Sequence, residues 1–448
     1  MARIGDFRLS VRHLFLVVPI AGLAWAVTSP FRDNSFLWHV RAGTVQLDRE
    51  SVLTTDPFSL EFAGEPWRTQ SWLADILFGA LERAVGGIGW VPYYMFILSA
   101  LTIVMVLVVT HHGTRHLGVT ALAGFVLTWQ AIPFANARPV IFSYLLLAAV
   151  AAALRHDRTH WAIAPIIWLW AMLHGSFVLG IGLVILEGLR RRSRRHFELA
   201  GIAVILATLT AHGIGIWSIL LRFLSNRDAL ELIQEWRPPD YSNPFMVPFV
   251  VLVMAALYAA TRGRLERDDL IVLIPFLLFG MLAVRNLYPA MIVALPYIAA
   301  GFVPEEPEHR RKEAPLMVAA IGLVIVLGAV IGLTRPVEFG ESQFPAPAAL
   351  EVIDEGPLFH GIGAGGYLIY AQWPERSVLV DDRAELYGHD GFQRYLDVAD
   401  AKGWEMEFSD LGITQALLDP EWPLVEALAT AGWEELYRDD NFVVARAP

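Results

Sequence analysis

The run Asp33-Asn34-Ser35-Phe36-Leu37-Trp38-His39 brings a carboxylate, an indole and an imidazole together just beyond the first long apolar segment of the chain. A carboxylate at such a mouth can accept the proton of an attacking hydroxyl, and an imidazole beside it can hydrogen-bond the same substrate. Charged groups recur at the ends of later apolar segments: Arg138, His174 and Arg285, with Asp56 and Glu235 in the two longest connecting segments. Burying an ionisable group in lipid is costly, so groups kept at span ends mark candidate sites. Arginine is suited to such a place because its planar fork can grip a phosphate through two parallel hydrogen bonds. The set therefore suits transfer from a phosphate-linked donor, with Asp33 as the catalytic base. His39, Asp56, Arg138, His174, Glu235 and Arg285 are then the substrate-binding candidates.

Each residue has a plainer reading. Asp33 is also a favoured N-cap for a helix beginning at Asn34. His39 could be a hydrogen-bonded structural group, and His174, in Leu173-His174-Gly175-Ser176, could satisfy the free backbone groups of a tight turn. Arg138 and Arg285 could be anchors whose heads rise to the lipid headgroups. Trp38, Trp67, Trp72, Trp90 and Trp236 suit an interfacial aromatic belt. A divalent cation (Mg or Mn) shared by Asp33, Asp56 and a lipid phosphate is chemically allowed, but no His/Asp spacing requires it.

The elements that must position these groups follow from composition. Among 448 residues, 55% are hydrophobic and 18% charged, with a mean hydropathy of +0.48. That is the composition of an integral membrane protein. With no cysteine, disulfides and thiolate metal sites are excluded. Apolar runs near 11–29, 88–110, 117–134, 139–154, 161–173, 175–189, 198–215, 245–260, 269–284, 287–303 and 315–334 predict about eleven helical spans. The first is too long, and lacks the small-residue cleavage pattern, for a removable signal peptide. Basic residues at Arg3–Arg12, His111–Arg115, Arg155–Arg158, Arg190–Arg195, Arg262–Arg267 and Arg310–Lys312 recur two spans apart, all on one side. They place the N-terminus in the cytoplasm and the C-terminus outside.

The complementary segments then face outward: the loop 30–87, the turns at Arg138, His174 and Arg285, the segment 216–244 and the tail. Within them, Gln70–Leu81 and Asn226–Trp236 have the spacing of helices lying in the interface. The tail from residue 335 holds about 22 acidic against about 7 basic residues, a local balance near −15 out of a total of −11. It is a separate aqueous domain. Short β-rich runs at 377–380, 415–418 and 442–444, alternating with helical stretches near 346–354, 390–400 and 421–431, predict a small α/β fold. Gly363-Ala364-Gly365-Gly366 lacks the lysine of a phosphate loop and reads as a tight turn. The division is thus 1–334, a transmembrane part including outer loop 30–87, and 335–448, an extracytoplasmic acidic α/β domain. Basic residues lie in short loops and not on one face, so no nucleic-acid footprint follows.

The succession RDNSFLWHVRAG, VLTTDPFS and GEPWRTQSWLADILFGALERAVGGIG resembles the first outer loop of bacterial members of the GT-C glycosyltransferase superfamily. These polytopic enzymes use polyprenyl-phosphate sugars, as the dolichyl-phosphate-mannose-protein mannosyltransferases use theirs. ARPVIFSY, WLWAMLHGSFVLGIGLV, Glu235-Trp236, AVRNLYPAMIVALP and, in the tail, GGYLIY, SVLVDDRAELYG and GWEELYRDDNFVVAR agree in order. The resemblance implies a plasma-membrane enzyme that moves a hexosyl or pentosyl group from a polyprenyl-phosphate-linked sugar to an envelope acceptor on the outer face. Asp33 would then act as general base or orient the acceptor. Three positions depart from the pattern. Ser35 stands where a second acid is common, Met172 where an asparagine is, and the tail's usual Asp-Gly-Arg reads Asp381-Asp382-Arg383. The departures favour a metal-free chemistry. The reading from another class is a non-catalytic membrane scaffold or lipid-carrier-binding protein of the envelope. A secondary transporter would need internal repeats or broken helices near mid-membrane, which the sequence lacks.

Overall fold

The computed structural model describes residues 30–155, 157–225, 234–302 and 337–448, together with Leu23, Ala24, Val27, Val326 and Val330. The runs near 11–29 and 315–334 lie almost wholly outside these, as does most of Asn226–Trp236. The chain divides into two compact units, Met1–Ser29 with Gly89–Gly213 and Gln234–Pro336, and Pro30–Ile88 with Ile214–Ile233 and Val337–Pro448. By packing, the loop 30–87 therefore shares a unit with the tail, whereas composition groups it with the apolar part.

The first unit is helical. Its helices are Val91–Thr114, Leu117–Ala131, Val140–Ala153, Ile163–Leu173, Val178–Arg191, Arg194–Thr208, Val247–Thr261, Leu270–Leu282 and Leu287–Ala300. Each expected apolar run between 88 and 302 holds one of them. Among the described residues, three segments are long and apolar enough to cross a membrane: Val91–Thr114, Leu117–Phe134 and Pro244–Thr261. A helix of 13–15 residues reaches only about 20 Å at about 1.5 Å per residue, short of the roughly 30 Å hydrocarbon layer. Leu287–Ala300 is buried on every side from Leu287 to Ala299 and packs against most of the others. A helix apolar all round belongs at such a centre. Large apolar side chains instead face outward at Leu122, Ile205, Met254 and Leu278, as a lipid-facing surface requires.

The second unit is built on a four-stranded sheet of β1 (Leu358–His360), β2 (Gln415–Leu418), β3 (Glu434–Arg438) and β4 (Val443–Arg446), in the order β1-β2-β4-β3. β1 and β2 are parallel, with Phe359 opposite Ala416; β4 runs antiparallel to both neighbours. Charged Glu434, Glu435 and Arg438 on the exposed edge strand β3 discourage pairing with another chain. One core cluster holds Phe359, Leu418, Trp404, Phe408, Leu424 and Leu428. The other holds Leu358, Leu417, Val444, Leu368 and Ile369 together with loop residues Trp38, Ala42, Val45, Phe58 and Trp67.

The loop supplies two helices, Asn34–Arg49 and Trp72–Val85. They cross at two glycines: a Cβ on Gly43 would fall 1.7 Å from the Asp75 carbonyl oxygen, and one on Gly79 would fall 2.5 Å from Gly43. The glycine-rich run 363–366 is neither a phosphate loop nor a tight turn. It opens the helix Ile362–Gln372, where a Cβ on Gly365 would meet the Val380 carbonyl oxygen at 2.2 Å and one on Gly366 would meet that of Asn34 at 2.3 Å. Ser377–Val380 forms no strand of the sheet. It runs extended beside the loop, the Val378 amide donating to the Phe58 carbonyl at 2.9 Å and that of Leu60 to the Val378 carbonyl at 2.8 Å.

Candidate functional site

Asp33 occupies the N-cap position of helix 34–49 with extended backbone (φ −94°, ψ 94°), yet its side chain makes no capping hydrogen bond. The capping role that sequence allows it is therefore not the one it performs. The following residues are tied to the tail. The Asn34 amide oxygen accepts from the Tyr367 amide at 2.9 Å, and its nitrogen donates to the Ile362 carbonyl at 3.2 Å. Ser35 Oγ and Trp38 Nε1 both donate to the Asp382 carboxylate, the indole at 2.9 Å.

His39 points into the packed interface of the two loop helices. Its Nδ1 lies 2.6 Å from Asp75 Oδ1, while Thr69 Oγ1 donates to Asp75 Oδ2 at 2.6 Å. Its ring stacks on that of Trp38 at 3.6 Å. A wholly buried carboxylate facing one imidazole nitrogen fixes the tautomer and orientation of that ring. His39 is thus a core residue of the loop, 8% exposed.

Asp56 also faces inward, with 1% exposure. One oxygen accepts from the Phe58 amide at 3.1 Å, the other from that of Ser59 at 3.0 Å, the local bonding that suits Asp to turns. It also receives Arg383 Nη1. Arg383 is itself buried, held by Asp381 through Nε at 2.8 Å and Nη2 at 2.6 Å. Its guanidinium lies 4.7 Å from the centre of the Trp67 ring and 5.3 Å from that of Phe58. Burial works against its charge, but Asp381, Tyr387 and Asp56 together hold its pKa well above the ordinary arginine value. Asp56 is spent on this centre, which is a structural one.

In the first unit, Arg138 and Arg285 precede the helices Val140–Ala153 and Leu287–Ala300, and Glu235 lies in the 3-10 turn Gln234–Trp236. Both arginines reach the one carboxylate. Arg138 Nη1 is 3.4 Å from each oxygen of Glu235, and Arg285 Nη1 is 3.4 Å from Oε1. Arg285 also lies over the Trp236 ring at 4.0 Å. The side chains keep 35%, 37% and 23% exposure at Arg138, Glu235 and Arg285. Two cations share one carboxylate over long contacts. His174 behaves as its turn suggests: its Nδ1 accepts from the Ser176 amide at 3.2 Å and lies 2.9 Å from Ser176 Oγ.

The structure thus joins Arg138, Glu235 and Arg285, and turns His39 and Asp56 into the cores of their elements. Asp75 and Asp382 were not singled out from sequence as partners. A lone acid within the apolar face of Gln70–Leu81 was the available signal for Asp75, and the Asp381-Asp382 doublet the signal for Asp382. Among the described residues no three His, Asp or Glu side chains converge as a metal site would require.

No protein-family model matches the chain, and no curated protein matches it. Its fold is similar to that of a solved structure, ArnT from Cupriavidus metallidurans bound to undecaprenyl phosphate, with a TM-score of 0.53 over 97% of each chain. At 12% identity the likeness is one of fold.

Proposed function

We propose that the chain is a membrane glycosyltransferase that moves a sugar from a polyprenyl-phosphate donor to an envelope acceptor on the outer face of the bacterial plasma membrane. The observation that carries the reading is the pair Arg138 and Arg285, two arginines gathered on one partly exposed carboxylate. A phosphodiester bears one negative charge on two free oxygens, which suits the fork geometry of the two arginines. The fold likeness to a protein holding undecaprenyl phosphate and the loop resemblance lend support.

In the proposed reaction an acceptor hydroxyl attacks the anomeric carbon. Its proton passes to the Asp33 carboxylate as the new carbon–oxygen bond forms. The bond to the donor phosphate breaks, and its electron pair leaves with the polyprenyl phosphate. Arg138 and Arg285 hold that phosphate and stabilise the second charge it acquires. One carboxylate suffices for direct displacement, so the configuration inverts. No metal step is needed.

The test is transfer from radiolabelled polyprenyl-phosphate sugars by purified protein, wild type beside Asp33→Asn and Arg285→Ala. Loss of the base is expected to cost about 10²–10⁴-fold in rate. Equal transfer by wild type and Asp33→Asn would sink Asp33 as the base. Carrier binding without transfer by wild type would favour the lipid-carrier-binding reading instead.

A further inference from the structure

Asp33 stands between two anchored stretches of backbone, and both anchors come from the tail. On its N-terminal side, the Phe31 amide donates to the Glu338 carbonyl at 2.7 Å and the Gly340 amide donates to the Phe31 carbonyl at 2.8 Å. The Phe31 ring packs on those of Phe339 and Phe344. On its C-terminal side, Asn34 is bonded to Ile362 and Tyr367, and Ser35 and Trp38 both donate to Asp382.

Asp382 is itself rigidly placed. Its neighbours Asp381 and Arg383 are buried and bound to each other, the Arg383 amide donating to Asp381 Oδ1 at 2.9 Å. The charge of Arg383 is already met by Asp381 and Asp56, so Asp382 is not its counter-ion. Its carboxylate is turned the other way, toward the first turns of helix 34–49. A carboxylate accepting from a hydroxyl and an indole at once fixes both donors in place, because bonds to a charged acceptor are short and strong.

We propose that Asp382 is a positioning residue of the transfer site: acting through Ser35 and Trp38, it holds the first turns of helix 34–49 and thereby the placement of the Asp33 carboxylate. The acidic tail is then a working part of the acceptor end, not a passive cover. The inference rests on the proposed role of Asp33. A base misplaced by even an ångström loses much of its rate while substrate binding persists.

The experiment uses the full-length protein in detergent, with the variants Asp382→Ala, Asp382→Asn and Ser35→Ala/Trp38→Phe. Asparagine keeps a group that can bond both Ser35 and Trp38 without the charge, so it should retain transfer within about threefold. Alanine should lower kcat by about 10–100-fold while leaving the acceptor KM and binding of a short-chain polyprenyl phosphate unchanged. Adding Asp382→Ala to Ser35→Ala/Trp38→Phe should cost nothing further, as residues acting through one linkage are not additive.

Amide exchange supplies a readout that does not need transfer. In Asp382→Ala the amides of residues 35–38 should exchange at least about tenfold faster, while those of 42–46 stay protected. Unchanged exchange at 35–38, or loosened exchange with undiminished kcat, overturns the proposal, as does an additive triple variant. If Asp33→Asn transfers normally, the role of Asp33 falls first and this inference with it. If Asp33→Asn is inactive and Asp382→Ala is not, only the positioning role falls.

Discussion

The first unit contains two clusters of nearly the same composition, and they are built differently. Arg138 and Arg285 share Glu235; Arg190 and Arg191 share Glu187. The second group is tight. Arg190 Nε and Arg191 Nε donate to Glu187 Oε2 at 3.0 and 2.7 Å, Tyr297 donates to the other oxygen, and Arg190 reaches on to Asp269 at 3.2 Å. Arg191 also donates to the Leu154 carbonyl at 2.7 Å, and Arg155 lies over the Tyr297 ring at 4.6 Å. Glu187 is 1% exposed, and both its oxygens accept hydrogen bonds. In the first group the contacts to Glu235 are 3.4 Å and all three side chains are partly open. Arg138 and Arg285 precede the helices whose far ends carry Arg155 and Tyr297, so the two clusters lie toward opposite ends of the same bundle. A buried carboxylate with short bonds ties helices together. A loosely shared one holds its arginines with longer, weaker contacts.

The comparison breaks most visibly at Glu187. Glu187→Ala removes the common buried acceptor of Arg190, Arg191 and Tyr297 and leaves Arg190 with Asp269. Breaking one side of a buried ion pair costs about 3–5 kcal/mol. Thermal melting of the purified variant should show a large drop or failure to fold, whereas Arg285→Ala should melt near the wild type and lose transfer. Similar destabilisation by the two would remove the distinction between lock and site.

Much of this arrangement is visible in the sequence, and what is not has identifiable causes. The helices between 88 and 302 follow from runs of apolar residues, because lipid and core both select the same side chains. The arginines at span ends were visible for the same reason, as isolated charges. The spans' exact lengths were not, since turns such as Gly175–Phe177 and Val284–Asn286 take up apolar residues that belong by composition to their neighbours. Ser377–Val380 has the composition of a sheet strand but pairs with residues 58–60, more than 300 positions away, and nothing local announces that partner. Asp56 is read from sequence as a substrate ligand because its buried partner Arg383 is equally remote. Ser35 and Asp382 appear there as two separate departures from the resembled pattern; folding brings them into contact.

Acid provides a control that reads the other unit through one buried imidazole. His360, in β1, accepts the Leu379 amide on Nε2 at 3.0 Å and lies 3.0 Å through Nδ1 from the Gly361 carbonyl, so Nδ1 carries the proton of a neutral ring. Burial pulls its pKa down from 6.5 to about 4. As pH falls below 6.5 the unfolded chain takes up a proton that the folded chain refuses until about pH 4. Stability therefore declines across that window, by up to about 3 kcal/mol, and is fully present above it. Melting followed from pH 7.5 to 4 should show this slope, and His360→Gln should flatten it. An unchanged slope in the variant would assign the acid sensitivity to other groups.

The smallest structural effect should accompany the most informative binding change. Glu235→Gln removes the shared negative charge but keeps an acceptor near both arginines. Ion pairs this exposed are worth at most about 1 kcal/mol, so melting should barely move. If the trio is a place for an anion that Glu235 fills in its absence, neutralising Glu235 relieves the competition. Affinity for a short-chain polyprenyl phosphate should then rise by about two- to fivefold, with a steeper dependence on salt because Glu235 no longer offsets the charge of the two arginines. Titration of wild type and variant at two ionic strengths measures both. Weaker binding by the variant would mean that Glu235 holds the arginines in their gripping geometry, which would make this cluster a lock after all, differing from that of Glu187 only in tightness.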